Sequence, residues 1–126
     1  MLNFNSVLLF SEKPQVLAEF YKKVFDQEPD WEMEEYIGFQ IGDCAITIGP
    51  HDEVKGKNEH PQRMMFNFET EDVKGEFDRI KETGAKVVKA PYNPGEEEGE
   101  YMIATFADPD GNYFQLVSPM KMDLTN

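Results

Sequence analysis

The pattern of residues along this chain is written twice, and that doubling restricts its fold more than any other feature. Residues 3–10, NFNSVLLF, alternate as a strand, with Phe4, Ser6, Leu8 and Phe10 on one face and Asn5, Val7 and Leu9 on the other. After Pro14 the period changes: Val16, Leu17, Phe20, Tyr21, Val24 and Phe25 recur at three-to-four spacing, one apolar stripe on a helix whose first turn tolerates proline. Three short strands are then expected at about 31–35, 36–41 and 44–49, with Gly42 and Asp43 forming a hairpin turn. A polar connector, residues 50–62, separates this from a second pass through the same order. RMMFNFE (63–69) reads as a strand, Val73, Phe77 and Ile80 mark a helix running to Gly84, and KVVKA, EYMIATF and NYFQLVS supply three more strands. Gly75 is the one poor helix former inside that second helix.

Two βαβββ modules follow: about 3–49 and 63–119, with a tail at 120–126, in a single domain of class α+β. Each is too small to bury its own sheet. The expected arrangement therefore pairs the modules, with helices on the outer faces and curved mixed sheets around a cleft. Alternation then divides the second module: Met64, Phe66, Phe68, Phe114 and Leu116 pack under the helix, leaving Arg63, Met65, Asn67, Tyr113, Gln115 and Val117 to face the cleft. Trp31, Tyr36, Phe39, Tyr92, Tyr101 and Tyr113 are candidates to line it with aromatic rings, set against the ordinary preference of strands for aromatics.

Charge and residue types exclude several functions. The formal charge is -13, from 25 acidic and 12 basic residues, which repels nucleic acid and anionic membranes and favours cationic solutes. Much of it comes from EMEE (32–35) and EEEGE (96–100), read as solvated segments. No apolar run is long enough to span a bilayer, and the single cysteine, Cys44, lies in an apolar run and reads as core; a cytoplasmic protein is expected. His51 and His60, nine residues apart in the connector, match no compact metal-ligand spacing and read as solvated. DPDGN (108–112) reads as a turn rather than an acid–base pair. No nucleophile elbow or phosphate-binding loop is present.

FYKKVFDQEP (20–29), FADPDGNYFQLVSP (106–119) and the doubled module together resemble the vicinal oxygen chelate superfamily of glyoxalases, dioxygenases and bleomycin resistance proteins. The resemblance runs from about residue 3 to 119. It implies that enzymes of the family hold a divalent metal at positions falling here on Ser6, Arg63, Ile46 (or its neighbour Thr47) and Gln115. Of these only Gln115 is a plausible ligand, because a guanidinium has no lone pair to give, isoleucine has none and a hydroxyl is a weak neutral donor. Three ligands and an open position are what a catalytic ion requires. The expectation is a metal-free small-molecule-binding protein without cofactor, similar to the bleomycin-resistance branch and homodimeric, and leaning away from catalysis. Its alternatives are a metal-dependent lyase or isomerase of the glyoxalase type and a metal-free enzyme using Arg63. Gln115 is then a hydrogen-bonding residue of the cleft, a partner for a cross-strand neighbour such as Arg63, or both.

Overall fold

The computed structural model describes residues 1–95 and 101–119; the EEEGE segment and the tail from 120 lie outside the described residues. The chain divides into two compact units, Met1–Asn58 and Glu59–Asn126. In the first, β1 (Ser6–Phe10), α1 (Pro14–Phe25), β2 (Trp31–Met33), β3 (Tyr36–Ile41) and β4 (Cys44–Gly49) follow one another, and the sheet order is β1-β4-β3-β2. The second repeats this with β5 (Phe66–Glu69), α2 (Val73–Glu82), β6 (Lys86–Tyr92), β7 (Ile103–Ala107) and β8 (Tyr113–Val117), in the order β5-β8-β7-β6. Each sheet is mixed: β1 pairs with β4 and β5 with β8 in parallel, and the remaining pairs are antiparallel. The α+β class and the tandem modules are those the periodicity predicts.

In each unit the helix packs on one face of its own sheet. Leu17, Ala18, Tyr21 and Val24 of α1 are buried, and Phe25 meets Phe39 of β3 edge-on with centroids 5.3 Å apart. Val16, expected in the stripe, is instead 52% exposed, because the apolar face has turned toward Ala18. The second unit answers with stacked rings: Phe77 of α2 on Phe106 at 5.1 Å, Phe106 on Phe114 at 5.5 Å, and Phe68 beside Phe114 at 5.7 Å. Phe39, Phe106 and Phe114 have no exposed surface, so truncating one to alanine costs about 3–5 kcal/mol.

Helix ends follow local chemistry. Pro14 occupies the first turn of α1, and Asp26 closes it in the left-handed region, φ 52°, its N–H donating to the Lys22 carbonyl. Glu28, ion-paired with Lys22 at 3.0 Å, holds that ammonium above the usual lysine value by its hydrogen bond and its charge, with smaller contributions from Glu19 and Glu32. Asp72 caps α2, its Oδ1 accepting from the Gly75 N–H at 3.0 Å. That bond accounts for Gly75: a Cβ there would collide with the Asp72 carboxylate.

Two of the boundaries that differ from the sequence expectation have a local cause. The first strand of the second unit begins at Phe66, not Arg63; Pro61 and Gln62 make a turn and the Arg63 N–H donates to the His60 carbonyl at 3.1 Å, which keeps Arg63 in a bend. β2 ends at Met33 because Glu34 takes positive φ, 57°, in the hairpin turn to Tyr36.

Asp72→Ala is expected to lower stability by about 1 kcal/mol. Gly75→Ala, which in an ordinary helix interior would gain up to about 1 kcal/mol, is expected to give no gain alone and to recover it in the Asp72→Ala background. Urea denaturation of the four variants checks this; additive effects contradict the collision.

Candidate functional site

Side chains on the sheet face without a helix do not pack against that helix, and the registers assign them. In the first sheet Leu8, Thr47, Gly38 and Trp31 stand side by side across β1, β4, β3 and β2. Ser6, Ala45 and Gln40 form the row on one side of them, and Phe10, Gly49, Tyr36 and Met33 occupy the other. The two glycines are where the aromatic rings lie. The Trp31 indole covers Gly38 and the Tyr36 ring covers Gly49, each in the space a Cβ would need. Trp31 remains 43% exposed and Tyr36 36%, so the outward ring surfaces are open, with Leu8 and Met33 exposed around them. Phe10 contacts the His51 ring edge-on at 5.2 Å.

The matching rows of the second sheet are chemically different. Asn67, Gln115, Thr105 and Lys89 align across β5, β8, β7 and β6, at the positions held in the first sheet by Leu8, Thr47, Gly38 and Trp31. Gln115 Nε2 donates to Thr105 Oγ1 at 3.0 Å. The cross-strand partner of Gln115 is thus Thr105, its register neighbour, rather than Arg63. Tyr113 pairs with Ala107 and is half-buried, and Tyr92 at the β6 edge carries Lys89 Nζ 5.0 Å from its ring centroid.

Several expected lining residues therefore fall into place and others do not. Ser6, Trp31, Tyr36, Asn67, Tyr113 and Gln115 are all on faces without a helix. Phe39 and Ile46 are not: they are register partners on the α1 side, 0% and 5% exposed. The residue of β4 on the Ser6 face is Thr47, as the two-residue period of a strand requires. Arg63 and Met65 precede β5, both exposed, and Tyr101 is half-buried just before β7. Sequence reasoning missed Gly38, Gly49, Thr105 and Lys89. Their signal was the glycine standing between aromatic residues in YIGF, and the alternation of IATFA, which puts Thr105 opposite Phe106.

Asp108 belongs to a turn. Its Oδ1 accepts from the Asp110 and Asn112 backbone N–H groups at 2.9 and 3.0 Å, and its Oδ2 from Asn112 Nδ2 at 3.0 Å. That use of both oxygens fixes the loop leading into β8.

The four positions tied by resemblance to a metal carry a serine, an arginine, a threonine or isoleucine, and a glutamine; the matched rows correct the arginine, since Met65, two residues before Asn67, stands where Ser6 stands two residues before Leu8, and a thioether is only a weak acceptor. Such a donor set does not fit a divalent ion, since at most one strong neutral donor is present. Among the described residues no group of three or more His, Cys, Asp or Glu comes together either.

Residues 3–116 match the family model described as Glyoxalase/Bleomycin resistance protein/Dioxygenase superfamily. Among solved structures, one described as a conserved domain protein aligns with TM-score 0.76 at 16% identity, covering 94% of this chain and 100% of that one. A glyoxalase-related enzyme from Fulvimarina pelagi gives 0.74 at 16% identity, covering 98% and 95%. A glyoxalase/bleomycin resistance protein/dioxygenase family enzyme from Burkholderia phytofirmans PsJN gives 0.70 at 23%, covering 92% and 98%. At these identities the likeness carries the fold. No curated protein matches the chain.

Gly38→Ala is expected to displace the Trp31 ring, destabilising by about 1–3 kcal/mol and shifting the emission of the chain's single tryptophan. Gly49→Ala should disturb Tyr36 and leave that emission in place. Unchanged emission in Gly38→Ala would contradict the stacking.

Proposed function

Since the chain belongs to the Glyoxalase/Bleomycin resistance protein/Dioxygenase superfamily, yet carries an unsuitable donor set at the metal positions, we propose that it is a metal-free small-molecule-binding protein. Its ligand is planar and aromatic and lies on the free face of the first sheet. The observation that carries this reading is the pair of rings, Trp31 on Gly38 and Tyr36 on Gly49, laid on the sheet and left open outward. A flat ring stacking on them gains apolar burial plus about 0.5–1.5 kcal/mol per ring pair. Exposed Glu34 and Glu35 in the hairpin beside Tyr36 and the net charge of -13 favour a cationic ring system.

Ser6 shares that face, while Met65, Asn67, Tyr101, Tyr113 and Gln115 are proposed as contacts on the second unit and not as part of the aromatic platform, with Arg63 an exposed cation near the start of β5. No step of bond making is assigned to any of them. Homodimerisation is part of the reading, supported by the strand edges of β1, β2, β5 and β6 that the two sheets leave unpaired among the described residues. A cytoplasmic location completes it; no helix among the described residues is long and apolar enough to cross a membrane.

Titration of the full chain with 9-aminoacridine, a planar cation, is expected to quench Trp31 emission saturably. By calorimetry, Trp31→Ala should weaken binding about two- to tenfold, the range that one lost ring pair spans. Protein purified without chelator should carry no stoichiometric divalent ion. Absence of saturable quenching would sink the aromatic platform. A tightly held ion together with chelator-sensitive turnover of a hemithioacetal would replace binding by glyoxalase-type catalysis.

A further inference from the structure

The second sheet offers something that the first does not, and on different residues. Its middle row, Asn67, Gln115, Thr105 and Lys89, places one polar side chain on every strand of the face without a helix. With neighbouring strands about 4.8 Å apart, the row is about 14 Å from end to end. The flanking row is Glu69, Val117, Ile103 and Tyr92, and on the other side Tyr113, Ala107 and Lys86 pair across their strands. Hydrogen-bonding capacity is therefore concentrated along one line, with its centre at Gln115 and Thr105.

That capacity is only partly used. Thr105, 5% exposed, accepts the 3.0 Å bond from Gln115 Nε2, which leaves its hydroxyl hydrogen to donate, and donation to an accepting oxygen strengthens the O–H as a donor. Gln115 retains one N–H and its carbonyl, and the whole amide of Asn67 and the ammonium of Lys89 have no hydrogen-bonded or ion-paired partner among the described residues. Lys89 Nζ lies over the Tyr92 ring, 5.0 Å from its centroid. Donors outnumber acceptors along this line, and one of them is a cation. The acid on the same face, Glu69, stands on β5 at the opposite edge from Lys89. About 14 Å separates the two edges, beyond the screening length of about 8 Å at physiological salt, so Glu69 does not neutralise Lys89; being two residues from Asn67, it acts on the β5 end of the line and favours an anion held toward Lys89 and Thr105.

We propose that this row is a carboxylate-binding site. The Thr105 hydroxyl and the Lys89 ammonium donate to the carboxylate of a small organic acid, the free N–H of Gln115 donates to it as well, and Asn67 closes the line on the β5 side. Local charge and donor count outweigh the net acidity of the chain here, because the net field is long-range and screened while these bonds are made at contact. The site does not depend on the aromatic platform, and its probe is chosen without a ring so that the two cannot be confused.

The test is a titration of the ¹⁵N-labelled full chain with sodium propionate, matched against sodium chloride at equal ionic strength and against neutral propionamide. Side-chain amide resonances of Asn67 and Gln115 are the readout. Propionate is expected to shift both saturably, and propionamide to bind more weakly. Lys89→Met, an exposed change, should raise the propionate dissociation constant about two- to fivefold, the range for a solvent-exposed ion pair. Thr105→Val should raise it about two- to tenfold, with Thr105→Ser restoring it. No saturable shift beyond the chloride control, equal response to acid and amide, or indifference to both Lys89→Met and Thr105→Val would overturn the proposal.

Discussion

A single helix lies against one face of each four-stranded sheet, and everything else in the two units follows from that one-sided packing. Phe25 on Phe39 in the first unit and Phe77 on Phe106 in the second play like parts, an aromatic from the helix on an aromatic from the strand next to the last, edge-on in one and stacked in the other. Because side chains alternate along a strand, fixing Phe39 or Phe106 toward the helix also fixes its neighbours away from it. Gly38 and Thr105 are thereby exported to the opposite face, at corresponding places in the two sheets. The core sets the register, and the register selects which residues are left for function.

On that opposite face the two units have diverged while keeping a common frame. Where the first sheet has Leu8, Thr47, Gly38 and Trp31, the second has Asn67, Gln115, Thr105 and Lys89. One row is apolar and floored with glycine so that an indole can lie down; the other is a line of amides, a hydroxyl and an ammonium. The repeated module thus provides two surfaces of like strand order and different chemistry. A side chain at position 38 would push the Trp31 ring off the sheet, and an apolar residue at 105 would leave the Gln115 amide without its partner.

The loops serve the same end by spending local hydrogen bonds on geometry. Asp108 uses both carboxylate oxygens to hold the loop before β8, and Asp72 uses its carboxylate to start α2, in a rotamer that a Cβ at position 75 would displace. Neither aspartate is left over for acid–base work. Thr105 and Gln115 keep spare hydrogen-bonding capacity because they sit in strands, where the backbone is satisfied by the ladder and the side chains are not needed to shape the chain.

Element order, the helix stripes and the turn chemistry of DPDGN were legible in the residues, because periodicity and local hydrogen bonding act within a few positions of each other. So were the residue types at the four positions that the resemblance ties to a metal. The start of β5 was not legible: RMMFNFE alternates from Arg63, but the turn at Pro61 and the bond from Arg63 to His60 hold the first three residues out of the ladder. Nor was the choice between Ile46 and Thr47, or the burial of Phe39. Those rest on cross-strand register, which is set by which residues the helix covers and not by any residue's own preference. What the amino-acid sequence determined is the pair of modules and the chemistry available to them. Which side chains are withdrawn into the core and which are presented, and that Gln115 spends a hydrogen on Thr105, only the folded sheet decided, because neighbours on adjacent strands meet through pairing rather than through distance along the chain.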